Sequence, residues 1–142
     1  METPKEYMLK EIEIIQDIIR RMAQNSFWIK GWTVTLVIGV LLLKGAEKAQ
    51  IWVAFIPLVV FWILDAYFLR QERMYRKLYE WAVQNRPQSD EHLFDMNAYR
   101  FADQVQSIPR IMVSITLGLF YGGLAVLVVV YGLIVVLSSG CS

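Results

Sequence analysis

The stretch IMVSITLGLFYGGLAVLVVVYGLIVVL, Ile111–Leu137, decides how the rest of the chain is read. It holds 27 residues and no charge. A helix needs roughly 20 apolar residues to cross the hydrocarbon core of a bilayer, so this run is long enough to span one. Two more apolar stretches lie upstream. Phe27–Leu43 contains one charge, Lys30, and Ile51–Leu69 contains one charge, Asp65. Both are slightly short, but aromatic flanks support them, because Trp and Tyr favour the headgroup level. Phe27, Trp28 and Trp32 mark one end of the first stretch. Trp52 and Phe55 open the second, and Trp62, Tyr67 and Phe68 close it. The expected fold is an all-α integral membrane protein with three transmembrane helices.

Composition agrees with that reading. Hydrophobic residues make up 56% of the 142 residues and charged ones 19%, below the roughly 25% charged of soluble chains. The net charge of +1 lacks the basic excess of a nucleic-acid binder, so no nucleic-acid partner is expected. A single cysteine, Cys141, excludes an intramolecular disulfide framework and a cysteine-rich zinc site. A single histidine, His92, argues against a His-based metal site within one chain.

Basic residues set the expected orientation. Five lie in residues 1–30, two in 44–50, seven in 70–110 and none after Leu137. With three spans, twelve of the fourteen fall on one side. The positive-inside bias puts that side in the cytoplasm. The expected layout is a cytoplasmic helix at 1–26, spans at 27–43, 51–69 and 111–137, an outer loop at 44–50, a cytoplasmic helical hairpin at 70–110, and an outer tail at 138–142. Met1-Glu2-Thr3-Pro4-Lys5-Glu6 opens the chain with no early apolar run, so no cleavable signal is expected.

The polar segments read as helices. Thr3, Pro4 and Glu6 suit a helix start. Met8, Ile12, Ile15, Ile19 and Met22 recur at spacings of 4, 3, 4 and 3, which is an a/d stripe. No Gly or Pro falls between Pro4 and Gly31. The first span is therefore expected to continue this helix, giving nearly 40 residues in one rod. The second span is expected to run on from Arg70 to Asn85, with Met74, Leu78, Trp81 and Ala82 as its apolar side. After the turn Arg86-Pro87-Gln88-Ser89, a third cytoplasmic helix is expected, with the stripe Phe94, Ala98, Phe101, Val105 and Ile108. Ser107-Ile108-Pro109 then breaks the path into the last span. Together these helices would form a cytoplasmic bundle, part of whose stripe is open to a subunit interface.

Catalytic patterns are missing. The chain has no Cys/His constellation, no Gly-rich phosphate loop and no nucleophile elbow. No cofactor and no enzymatic activity are expected. Asp90, Glu91 and Asp95 read as a complement to a helix dipole rather than a cation site. Lys30 and Asp65 each need a partner, because charges within a bilayer are expensive. Each lies roughly 5–6 Å inside the same edge, at 1.5 Å per residue. They either pair with each other, or Lys30 snorkels and Asp65 finds another donor. Small residues recur every fourth position: Gly31, Thr35 and Gly39 on the first span, and Ser114, Gly118 and Gly122 on the third. Such spacing lets helix backbones approach closely, within one chain or between copies as a homo-oligomer. Three spans enclose no pore, so conduction would require an oligomer.

Two segments carry a resemblance: Asn25-Ser26-Phe27 with Lys30-Gly31-Trp32, and Phe61-Trp62-Ile63-Leu64-Asp65-Ala66-Tyr67 followed by Arg70-Gln71-Glu72-Arg73. Over about residues 5–86 the chain resembles SLATT-type small bacterial membrane effectors, associated with nucleotide-signalling antiphage defence. The shared layout is a long N-terminal helix, a membrane hairpin and a helix continuing out of the second span. The resemblance implies a bacterial inner-membrane effector that oligomerises and breaches the membrane. Its implied partner is a cytoplasmic sensor or signalling protein, of TIR or nucleotidyltransferase type, or that protein's product. Arg70, Arg73, Arg76 and Lys77 are candidate contacts for such a signal, or simply topology charges. Two rivals stand beside this reading. One is a non-conducting anchor that recruits a soluble partner. The other is a holin-like pore former, whose usual outer N-terminus conflicts with the charge bias.

Overall fold

A computed structural model describes residues 4–43, 47–88 and 92–139. Helix α1, Pro4–Leu42, is one unbroken rod of 39 residues, about 58 Å long at 1.5 Å per residue. Pro4 suits the first position, where a missing N–H costs nothing. Thr3 lies outside the described residues. Helix α2, Glu47–Asn85, is equally long and returns antiparallel to α1. Pro57 sits inside it without ending it. In an apolar surrounding the neighbouring backbone groups have no partner but the helix, so the helix persists past the proline. After α2 come a 3-10 helix, Ala98–Gln104, a short helix α3, Ile108–Met112, and α4, Ile115–Ser139. Helices α1, α2 and α4 are each long and apolar enough to cross a membrane, and no strand occurs among the described residues.

Helix α2 is the middle of the packing. Its polar half lies against α1 and the 3-10 segment, around Ile15, Met74, Leu78, Ala82 and Ala98. Its apolar half lies between α1 and α4, around Val37, Leu41, Ala54, Leu58 and Val128. A third core joins Ala66 to Ile111, Leu117 and Tyr121, fixing α3 and the start of α4. Elsewhere α1, α2 and α4 leave Trp28, Trp32, Trp52, Ile56, Leu119, Leu133 and similar side chains exposed, as lipid-facing helices do. Two side chains cap helix ends that lack backbone partners. The Tyr131 hydroxyl donates to the Leu41 carbonyl at 3.1 Å, closing the end of α1, and the Trp62 indole donates to the Met112 carbonyl at 3.0 Å, closing α3.

Two boundaries depart from the sequence reading. The expected helical hairpin over 70–110 loses its second arm. Residues 92–94 form a turn in which His92 and Phe94 take left-handed φ of 58° and 57°. Among the described residues, the 3-10 helix alone lies between that turn and α3. The periodicity of Phe94, Ala98, Phe101, Val105 and Ile108 was outcompeted by hydrogen bonds reaching in from other helices. The Phe94 N–H donates to a Glu11 carboxylate oxygen at 3.1 Å, and the His92 carbonyl accepts from Arg86 at 2.6 Å. The Asp95 carboxylate also captures the Asn97 N–H at 3.1 Å, a local bond that competes with a helix. Ala98, Phe101 and Val105 still turn into the first core, but Phe94 is exposed, edge-on to Tyr7. The expected span 111–137 is likewise not one helix. The chain breaks at Val113, whose φ and ψ are −89° and 8°, so the spanning helix starts at Ile115.

Candidate functional site

Among the described residues, no group of three His, Cys, Asp or Glu side chains stands close enough to hold a metal. The functional candidates are two buried charge clusters, a small-residue face and a row of basic residues.

The first cluster joins all three long helices. Ser26 and Lys30 stand one turn apart on α1 and face Asp65 of α2, which is fully buried. Lys30 Nζ donates to Asp65 Oδ2 at 2.5 Å and to Ser26 Oγ at 2.7 Å. Ser26 Oγ donates to Asp65 Oδ1. Tyr121 of α4 donates its hydroxyl to Asp65 Oδ2 at 3.0 Å, and its ring stacks on Trp62 at 5.7 Å. One carboxylate thus accepts from three side chains on two helices besides its own. Charge-assisted hydrogen bonds of this kind are the strong ones. Tyr121 had no spacing relation to Asp65 that a sequence could show. Ser26 had one, since it lies a single turn before Lys30.

The second cluster lies at the polar end and has no counterpart in the sequence reading. Glu11 of α1 and Arg86, just past α2, are both 1% exposed and form a two-pronged pair. Arg86 also holds the His92 carbonyl, and Glu11 holds the Phe94 N–H. The Arg86 guanidinium lies 5.4 Å from the Trp81 ring centre, and Arg100 lies 4.8 Å from the same ring. Glu11 sits beside Ile12 of the apolar stripe. Its signal was positional only: it lies four residues before Ile15, on the buried side.

The stripe itself is partly inward. Ile15 is buried, Ile19 packs on the first core, and Met8, Ile12 and Met22 are half-buried. The small residues divide. Gly31 and Gly39 are exposed, with open space where a Cβ would stand, and Thr35 between them is exposed too. Gly122 also meets open space, whereas a Cβ added at Gly118 would lie 3.5 Å from the Val113 carbonyl oxygen. Ser114 sits at the α3–α4 joint, its hydroxyl buried without a partner among the described residues. Gly132, the third-span glycine farther along, faces Ile51, whose Cδ1 would lie 2.8 Å from an added Cβ.

The basic row on α2 is unevenly paired. Arg76 pairs with Glu72 at 2.7 Å and Lys77 with Glu80 at 2.8 Å. Arg73 donates to Gln106 at 3.0 Å. Arg70 keeps its Nε buried with no partner. Asp95 lies 3.9 Å from Arg100, while Asp90, Glu91 and Cys141 lie outside the described residues. Comparison with known proteins finds no matching family model, no matching curated protein and no matching solved structure.

Proposed function

We propose that the protein is a bacterial inner-membrane effector that self-associates in the bilayer and then permeabilises or depolarises it. One observation supports this reading above the others. The Gly31, Thr35 and Gly39 face of α1 is a close-approach surface that the chain's own packing leaves unused. Grooves of about 290 and 390 Å³ flank it, the first beside Trp28 and Trp32, the second between α1 and Phe120 of α4. A second copy would seat its own helix there. In this reading the polar end lies in the cytoplasm, as the basic bias suggests, and receives the activating partner or its anionic product. The resemblance to SLATT-type effectors points the same way.

The test is membrane potential and dye entry in bacteria overexpressing the protein, where high copy number drives assembly. Depolarisation is expected, and the double variant Gly31→Ile/Gly39→Ile should abolish it at equal membrane level. A membrane that stays polarised at high protein level contradicts the effector reading. A second reading, the non-conducting anchor, then takes its place. Its supporting observation is that both buried charge clusters fasten helices together.

A further inference from the structure

Helix α2 and the segment 104–106 enclose a cleft of about 210 Å³, lined by Arg73, Arg76, Lys77, Glu80, Gln104, Val105 and Gln106. Its charges are not equivalent. Glu72 neutralises Arg76, and Glu80 neutralises Lys77. Arg73 is bound only through one N–H to the neutral Gln106 amide, so most of its five donors stay free. Arg70, three residues back and on the same helix face, has no carboxylate partner among the described residues and a buried Nε with none at all. The uncompensated Arg73 guanidinium, beside two glutamine side chains, makes the cleft a recess for a planar or tetrahedral oxyanion.

Depth narrows the ligand. The apolar stretch ends at Leu69. At 1.5 Å per residue Arg70 lies about 1.5 Å and Arg73 about 6 Å beyond it, and Lys77 about 12 Å. The headgroup layer occupies roughly the first 5–8 Å outside the hydrocarbon core. Arg73, at the inner end of the cleft, therefore stands at phosphate level, and the rest of the cleft extends outward from it. We propose that this cleft binds a phosphate group, with Arg73 as the principal ligand and Lys77 at the rim. The phosphodiester of an anionic lipid headgroup is the source that the depth favours. The site does not rest on the effector reading, since a non-conducting anchor would carry it equally.

The test is thermal unfolding of the purified full chain in a neutral detergent, followed by tryptophan emission. It is titrated with dioctanoyl phosphatidylglycerol, dioctanoyl phosphatidylcholine or glycerol 3-phosphate. A saturable rise in Tm with phosphatidylglycerol is expected, at a midpoint at least tenfold lower than with phosphatidylcholine. Arg73→Gln should raise that midpoint tenfold or more, Arg73→Lys less, and Arg20→Gln, exposed on α1 beside Asp17 and outside the cleft lining, not at all. A response to glycerol 3-phosphate at an equal midpoint, lost in Arg73→Gln, supports the phosphate site and assigns it to a soluble ligand instead. No saturable rise with any of the three, or an Arg73→Gln protein that titrates like the parent, overturns the proposal.

Discussion

The two buried ion pairs solve the same problem with different margins. Asp65 sits among apolar helices, and three side chains donate to it: Lys30, Ser26 and Tyr121. Its cation is not fully enclosed, for the Lys30 side chain remains 22% exposed. Glu11 sits at the polar end, and its charged partner, Arg86, is as buried as it is, at 1%. The polar-end pair also holds two backbone groups of the 92–94 turn, which have no helix to bond to. The difference teaches where dependence lies. In the apolar half the carboxylate can lose one donor and keep two. At the polar end the loss of one partner strands a charge and releases a turn.

Mutations sharpen that contrast, and the largest effect is expected at the polar end. Arg86→Met should destabilise by about 3–5 kcal/mol, the cost of leaving one member of a buried pair alone. Hydrogen exchange should accelerate across 92–105, and Trp81 emission should shift, while residues 53–66 stay protected. Protection lost equally in both halves would mean the clusters are one cooperative unit, and the comparison would fail. Next, Glu11→Leu/Arg86→Met should recover most of that loss, because replacing a whole buried pair with apolar groups is often neutral. The Phe94 N–H loses its Glu11 acceptor in the double variant, so a residue of about 1–3 kcal/mol persists. Lys30→Met should cost less than Arg86→Met, about 1–3 kcal/mol, because Ser26 and Tyr121 still donate to Asp65. Detergent-to-SDS titration of folding measures both. A Lys30→Met loss exceeding that of Arg86→Met would reverse the ranking. The smallest effect is expected from Tyr131→Phe, about 0.5–1.5 kcal/mol, the single capping bond to Leu41.

Much of the fold was legible because bilayer physics is strict. Length without charge announces a spanning helix, and the absence of Gly and Pro from Pro4 to Gly31 announces the long rod of α1. The turn at 92–94 was not legible, because its cause lies in Glu11 and Arg86, 75 positions apart in the chain. A 4,3,4,3 pattern records which side chains turn inward, and Ala98, Phe101 and Val105 do. It does not record whether the backbone between them can find helical partners. Lys30 and Asp65 could be matched by depth and opposite sign, whereas Tyr121 could not, since no periodicity connects α4 to α2. The glycine spacing was equally mute about partners. Identical four-residue steps leave Gly31, Gly39 and Gly122 open, while a Cβ at Gly118 would meet the Val113 backbone.

That open face carries the functional account, and the most direct test is the mass of the assembled particle. The measurement is native mass spectrometry or mass photometry of the full chain in nanodiscs, for the parent and for Gly31→Ile/Gly39→Ile. The account predicts a defined oligomer for the parent and a 16.5 kDa protomer for the variant. A parent that remains a protomer at every protein-to-lipid ratio, or a variant that assembles as the parent does, would contradict it.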